Sequence, residues 1–286
     1  MKRREFVIKS SLITTSILAP MSLSSCTSSS SQNRVGIQLY SVRDEMNKNP
    51  KETLKNIASY GYKYIEGYEG DLGLFWGMTN VEYKNYLDSL GLTMIASHCG
   101  DTNNLASFNE KCQQASEIGV EYLTCPWAEC ERSVDGFKSI AKTFNECGEI
   151  AKKHNMKFSY HNHDYSFKKI DGVFFQDILM NETQKDLVEY EMDIYWVYAA
   201  GEDPKEWFDK HPGRFTYCHV KDYISLQNGK FESCTLGKGI INFPSILSYG
   251  KTKGLSTLIV EQEAYTGTSQ LESAKDNFLY MSSLDI

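Results

Sequence analysis

The stretch Phe158-Ser159-Tyr160-His161-Asn162-His163-Asp164-Tyr165 places two of the chain's six histidines one residue apart at the end of an apolar run. In an extended strand, residues i and i+2 point to the same side, so His161 and His163 are expected to share a face. The strand-like runs that follow end in similar chemistry. Val188-Glu189-Tyr190-Glu191-Met192-Asp193 closes on a carboxylate, Tyr217-Cys218-His219-Val220-Lys221-Asp222 carries an imidazole, and Leu258-Ile259-Val260-Glu261 closes on a second carboxylate. All are residue types that bind metals.

Around this stretch the chain alternates short strand patterns with amphipathic helices at roughly the 30-residue period that βα units require. Strands are expected at Val35–Tyr40, Tyr62–Glu66, Leu92–His98 and Val120–Cys125 before the histidine stretch. After it they are expected at Val188–Asp193 and Arg214–Lys221 and at a run ending in Glu261. The helix over Val134–His154 is the clearest, with Phe137, Ile140, Ala141, Phe144, Cys147 and Ile150 on one stripe. Others are expected from near Asn80 to a stop at Gly91, over Phe174–Leu179, over Pro204–Lys210, from Pro244, and over Ser269–Tyr280.

Eight such units fit a (β/α)8 TIM barrel of the α/β class, and an open doubly wound sheet reads similarly. The polar residues decide between them. Glu66, His98, His161, His163, Asp193, His219 and Glu261 fall at strand C-terminal ends, which a closed barrel gathers at one mouth and an open sheet spreads along an edge. One barrel domain over residues 34–286 is the expectation.

Residues 1–33 are set apart from the fold. Lys2, Arg3 and Arg4 precede a modest apolar run through Leu12, Ile13, Ile17, Leu18 and Met21, too short and interrupted to span a bilayer. Arg3-Arg4-x-Phe6 resembles a twin-arginine signal. Leu23-Ser24-Ser25-Cys26 resembles a lipobox with Cys26 as the lipidated residue, and Thr27–Asn33 forms a polar tether. A plain cleaved signal before a Ser-rich tail is the simpler alternative. Both readings expect an exported protein, periplasmic or at the cell surface, that meets a membrane only through a lipid anchor.

The formal net charge of −7 opposes a nucleic-acid partner, which would select a basic face. Seven of the eight cysteines remain once Cys26 is set aside, and none has Cys-x-x-Cys spacing. Most are expected to be small buried residues, with a disulfide left open.

Two imidazoles and two carboxylates around an oxygen-rich pocket suit a divalent ion such as Mn, Co, Zn or Fe, and no thiolates are placed for a structural zinc site. Each residue also has a plainer explanation. Asp193 could simply cap the next helix, Lys221 could pair with Asp222, and Glu66 could be a solvated rim carboxylate rather than a contact to a substrate hydroxyl.

The chain resembles the xylose isomerase-like barrels of the sugar phosphate isomerase/epimerase group. The resemblance rests on Gly36-Ile37-Gln38-Leu39-Tyr40-Ser41-Val42-Arg43, Ser97-His98, Tyr160-His161-Asn162-His163, Asp193-x-x-Trp196 with Ala200-Gly201, His219-Val220-Lys221-Asp222, Leu236-Gly237-x-Gly239-x-Ile241 and Val260-Glu261. It implies metal ligands at His161, Asp193, His219 and Glu261. Many relatives carry Glu-Asn-His where this chain has His161-Asn162-His163, so His161 would replace a carboxylate. Relatives with His-Asn-His often continue to Glu-Phe, and here the pair is Ser166-Phe167. A carboxylate credited with contacting substrate is therefore missing.

The reaction this implies is proton abstraction next to a carbonyl on a non-phosphorylated sugar or keto-glycoside, leading to isomerisation, epimerisation, or β-elimination and hydration. The metal would stabilise the enediolate. Glu261 or His163 would serve as base, with His98 as an alternative, while Lys221 would stabilise charge on oxygen. Glu66, His98 and Trp196 would contact substrate, and Trp76, Trp127 and Trp196 lie where a sugar ring could stack. The rival readings are a non-catalytic carbohydrate-binding lipoprotein and an endonuclease-IV-like hydrolase, the latter opposed by the acidic charge. Oligomerisation is left open.

Overall fold

The computed structural model describes residues 34–226 and 230–286. The expected export signal, the tether and the lipidation site at Cys26 lie outside the described residues.

Eight parallel strands close into a barrel: β1 (Arg34–Gln38), β2 (Tyr64–Tyr68), β3 (Thr93–His98), β4 (Tyr122–Cys125), β5 (Lys157–His161), β6 (Val188–Asp193), β7 (Phe215–Val220) and β8 (Thr257–Val260). Each strand pairs with its sequence neighbours, and β8 returns to β1 to close the ring. A principal helix follows each strand: α1 (Pro50–Tyr60), α2 (Asn80–Leu90), α3 (Leu105–Ser116), α4 (Val134–Lys153), α5 (Phe175–Glu182), α6 (Pro204–Lys210), α7 (Phe243–Thr252) and α8 (Gln270–Ser283).

The helix boundaries follow local chemistry. Thr79 and Glu82 form a reciprocal capping box at the start of α2, and Ser269 and Glu272 do the same for α8. The α2 helix stops where Gly91 takes φ 68°, in the left-handed region that glycine enters without a steric cost. On α4 the expected stripe is buried from Phe137 to Cys147, while Ile150 is half-buried against the same core.

Two short hairpins were not expected from the sequence: Lys169–Ile170 with Val173–Phe174 ahead of α5, and Asp222–Ser225 with Phe231–Cys234 after β7. The second is anchored by Asp222, whose carboxylate accepts main-chain N–H groups of Tyr223, Gly237, Gly239 and Ile241. That use of Asp222 overturns a Lys221–Asp222 pair. Neighbouring residues of an extended chain point to opposite sides, and these two diverge.

Alternation along the strands separates two interiors. Phe158, Tyr160, Tyr190 and Met192 face the helices and join the main core, whereas Ile95, Tyr122, Tyr217 and Ile259 plug the base of the barrel. Above that plug the Tyr217 hydroxyl bonds Thr124 Oγ1 at 2.7 Å and also meets Ser159. The barrel is therefore filled rather than open, and the polar groups above it stand on a dry floor. All seven cysteines among the described residues are free, five of them buried, so no disulfide forms among them.

Candidate metal centre at the barrel mouth

His161 ends β5, Asp193 ends β6, His219 is the penultimate residue of β7, and Glu261 directly follows β8. Strand register brings Asp193 and His219 side by side as Cα partners across β6 and β7. All four side chains are buried, and one donor atom from each lies within 4.8 Å of the other three. His161 Nε2 is 3.3 Å from Asp193 Oδ2, and His219 Nδ1 is 3.1 Å from Glu261 Oε2 and 3.7 Å from Asp193 Oδ2.

Asp193 serves two purposes at once. Its Oδ1 accepts the Trp196 main-chain N–H at 3.0 Å and caps the short helix Ile194–Ala199, while Oδ2 faces the imidazoles. The helix cap and the contact with the imidazoles use different oxygens. Asn162, between the two histidines, clamps the same residue through its backbone. Its Nδ2 donates to the Asp193 carbonyl at 3.2 Å, and its Oδ1 accepts the Asp193 N–H at 3.1 Å.

Lys221 lies inside the barrel mouth, 3.2 Å from Glu261 Oε2, 2.6 Å from Glu263 Oε1 and 3.8 Å from Asp193 Oδ2. Tyr195 and Trp196 cover its ammonium at 4.9 and 5.0 Å. Burial alone would raise both carboxyls, but Lys221 and the imidazoles outweigh it and hold Glu261 and Asp193 below the usual carboxylate range. Both are therefore ionised at neutral pH. Burial lowers His161, and the neighbouring His219 adds to the effect, so its imidazole is neutral. A neutral imidazole and ionised carboxylates are the forms that bind a divalent ion. Burial lowers His219 too, but Glu191 and Glu261 outweigh it and hold that ring well above its usual value, so it must release a proton to bind an ion. His161 Nδ1 is buried without a hydrogen-bond partner. This donor set fits a divalent ion.

One pleat below the mouth is a second group that the sequence analysis did not anticipate. Glu191 lies two residues before Asp193 on the same face of β6, and its Oε2 meets His98 Nε2 at 3.0 Å. His219 Nε2 donates to Glu66 Oε2 at 2.7 Å and lies 3.0 Å from Glu191 Oε1. The His219 ring thus separates the two groups, one nitrogen toward each. Burial, with Glu191 adding to it, pushes the Glu66 carboxyl up to about 7. For Glu191 the nearby His219 and His98 overcome burial and keep it ionised. Glu66 is fully buried and bonds His219; it is absent from the cavity wall, where a substrate contact had been expected.

Above the mouth opens a cavity of about 630 Å³ lined by His98, His161, His163, Trp127, Trp196 and Glu261, with Tyr40, Tyr68 and Glu263 among the remaining wall residues. Strand β5 ends at His161, so His163 leaves the strand and turns to the cavity. Its ring lies 5.1 Å from Trp127 and 5.3 Å from Trp196. Burial, with His161 beside it, pushes His163 down to about 2, so the ring is neutral throughout the working range. Trp127 is 48% exposed at the rim, whereas Trp76 is buried against Tyr68, away from any stacking position. Ser166 is also buried and bonds the Tyr160 hydroxyl at 2.9 Å.

Among known proteins, residues 54–284 match the family model described as xylose isomerase-like TIM barrel. An inosose dehydratase from Clostridium tetani is 34% identical over 86 residues, which is 30% of this chain and 28% of that enzyme. A sugar phosphate isomerase/epimerase from Parabacteroides distasonis superposes with a TM-score of 0.75 at 26% identity, covering 90% of this chain and 96% of that one. A xylose isomerase-like TIM barrel protein from Mycobacterium smegmatis, solved in complex with magnesium, has a TM-score of 0.65 at 13% identity and covers 87% of this chain and 95% of that one.

Proposed function

The chain belongs to the xylose isomerase-like TIM-barrel family, and from that premise we propose that it is a divalent-metal-dependent enzyme abstracting a proton next to a carbonyl of a non-phosphorylated sugar or keto-glycoside. The observation that carries this reading is the convergence of His161, Asp193, His219 and Glu261 on the floor of an aromatic-walled cavity. These four residues would hold the ion. When bound there, a divalent ion supplies Lewis acidity toward a carbonyl and its neighbouring hydroxyl.

The chain's own residues divide the remaining tasks. Trp127 and Trp196 on the cavity wall offer aromatic surface to the apolar side of a sugar. His163, neutral and facing the cavity, can accept a hydrogen bond there, and Glu261 offers a carboxylate at the floor as the base. Lys221, buried behind the cavity wall and paired with Glu261 and Glu263, would act by holding those carboxylates in place and ionised. A base and a separate acid suit β-elimination, in line with the dehydratase likeness, as well as they suit epimerisation.

The substrate class is supported by charge. The described wall residues of the cavity include Glu69, Glu261 and Glu263 but neither lysine nor arginine, which fits a neutral sugar better than a phosphate ester. Export and lipidation at Cys26 belong to the same reading, because free and glycosidic sugars are the carbohydrates met outside the cytoplasm. Membrane fractionation of the full chain and of Cys26→Ser checks this part; release by the variant is expected, and unchanged partition overturns the anchor.

The catalytic reading is tested by incubating metal-loaded protein in deuterated water with free sugars and 3-keto-glycosides. Deuterium uptake next to the carbonyl is expected, and loss of the aglycone marks elimination. Absence of any stoichiometric divalent ion, with sugar affinity unchanged in His219→Ala, overturns it in favour of a carbohydrate-binding protein.

A further inference from the structure

We infer that the group below the mouth, Glu66, His98, Glu191 and His219 Nε2, is a second divalent-cation site that shares the His219 ring with the first. The inference rests on the metal-dependent reading of the mouth but concerns different donor atoms.

One donor atom from each of the four residues lies within 4.8 Å of the other three, close enough to share one ion. A four-coordinate ion with bonds of about 2.1 Å to nitrogen and oxygen keeps its donors about 3.4 Å apart. The four imidazole-to-carboxylate separations are 2.7 and 3.0 Å from His219 Nε2, and 3.0 and 3.7 Å from His98 Nε2. Each glutamate reaches the two imidazoles with different oxygens, and three of the four separations are also hydrogen-bond distances.

Hydrogen bonding leaves the group unsatisfied. Glu66 and Glu191 are fully buried, yet Oε1 of each has no hydrogen-bond partner among the described residues. The single Nε2 proton of His219 points at Glu66 Oε2 and leaves Glu191 Oε1 unbonded at 3.0 Å. A buried carboxylate oxygen without a partner is costly. One divalent ion would bond both open oxygens and take the place of the protons that the imidazoles and carboxylates share.

With both sites filled, His219 gives Nδ1 to the mouth and Nε2 to the lower ion, so its Nε2 proton leaves to solvent as the second ion binds. Glu66, Glu191 and His219 are fully buried, and of the four only His98 lines the cavity. The lower ion would act through His219, setting how strongly that ring holds the mouth ion. Oxygen-rich coordination with two imidazoles suits Mn or Zn.

The test uses the full chain, stripped with chelator, loaded with Mn²⁺ alone, desalted and counted by mass spectrometry against protein. Two equivalents are expected, falling to one in Glu191→Gln and in Glu66→Gln. The wild-type electron paramagnetic resonance spectrum is expected to show two coupled Mn ions across the ring, and the variants an isolated six-line signal. One equivalent in the wild type, or two uncoupled ions, overturns the inference and leaves the mouth site standing. No bound Mn²⁺ removes both. The wild-type spectrum decides the matter even where a variant fails to fold.

Discussion

At the N-terminal end of the barrel Arg34 pairs with Glu121 and Lys157 with Glu189, and every one of these side chains is partly open to water. At the C-terminal end His161, Asp193, His219, Lys221 and Glu261 are almost entirely enclosed, and each touches two or more charged or polar partners. The lower pairs are screened and separable, each contributing on the order of 1 kcal/mol or less. The upper ones are coupled, so that altering one side chain leaves the others with unpaired charge in a dry interior. One barrel thus carries a forgiving base and an unforgiving mouth, which accords with function being concentrated where strands end.

The largest break in this contrast is expected from Asp193→Asn. The amide keeps an oxygen for the Trp196 cap but removes the charge facing the imidazoles, so the fold survives while metal affinity falls about 1,000-fold, roughly 4 kcal/mol. Competition with a fluorescent chelator reads this directly. Retained affinity would remove Asp193 from the ligand set.

Glu66 offers the next effect. Its folded carboxyl is raised to about 7, above the ordinary value, so in metal-free protein the folded state holds a proton that the unfolded state has lost. The stability it contributes is fully present at low pH and is lost as pH rises from about 4.5 through about 7, by roughly 3 kcal/mol. Urea titrations at several pH values should show that loss in the wild type, with a flatter profile for Glu66→Gln over the same window. Equal slopes would mean Glu66 titrates normally.

At the rim, Trp127→Ala should raise KM about 10-fold and leave kcat within about 2-fold, because an exposed stacking ring contributes binding of about 1 to 2 kcal/mol. Equal losses in kcat would place the ring in the chemistry. Smallest of all, Arg34→Met at the base should cost less than about 1 kcal/mol in urea denaturation and leave metal content unchanged. A metal loss there would show that the two ends are coupled.

The barrel was legible because βα alternation recurs eight times, and the gathering of His161, Asp193, His219 and Glu261 at the mouth was legible because they lie at or next to the ends of their strands. Glu191 carried a signal that went unused, since the same period of two that paired His161 with His163 also places it beneath Asp193 on one face of the strand. Glu66 was misplaced for a related reason. The sequence suggested a strand ending at Glu66, but β2 runs on to Tyr68, which sets Glu66 one pleat deeper and away from the cavity. Asn162 gave no signal, since its partner is a main-chain group 31 residues later. Asp222 likewise takes its amides from a segment whose return to β7 no local pattern announces.

The Asn162 clamp has a consequence for how this site can change over evolution. Because an amide, rather than a bound ion, ties β5 to the backbone of β6, the gap between positions 161 and 193 is set before any ligand arrives. Position 161 is then free to exchange imidazole for carboxylate without shifting either strand. Such a position works as a dial on the charge of the pocket, and a lineage could retune metal preference there by one substitution while inheriting the scaffold unchanged.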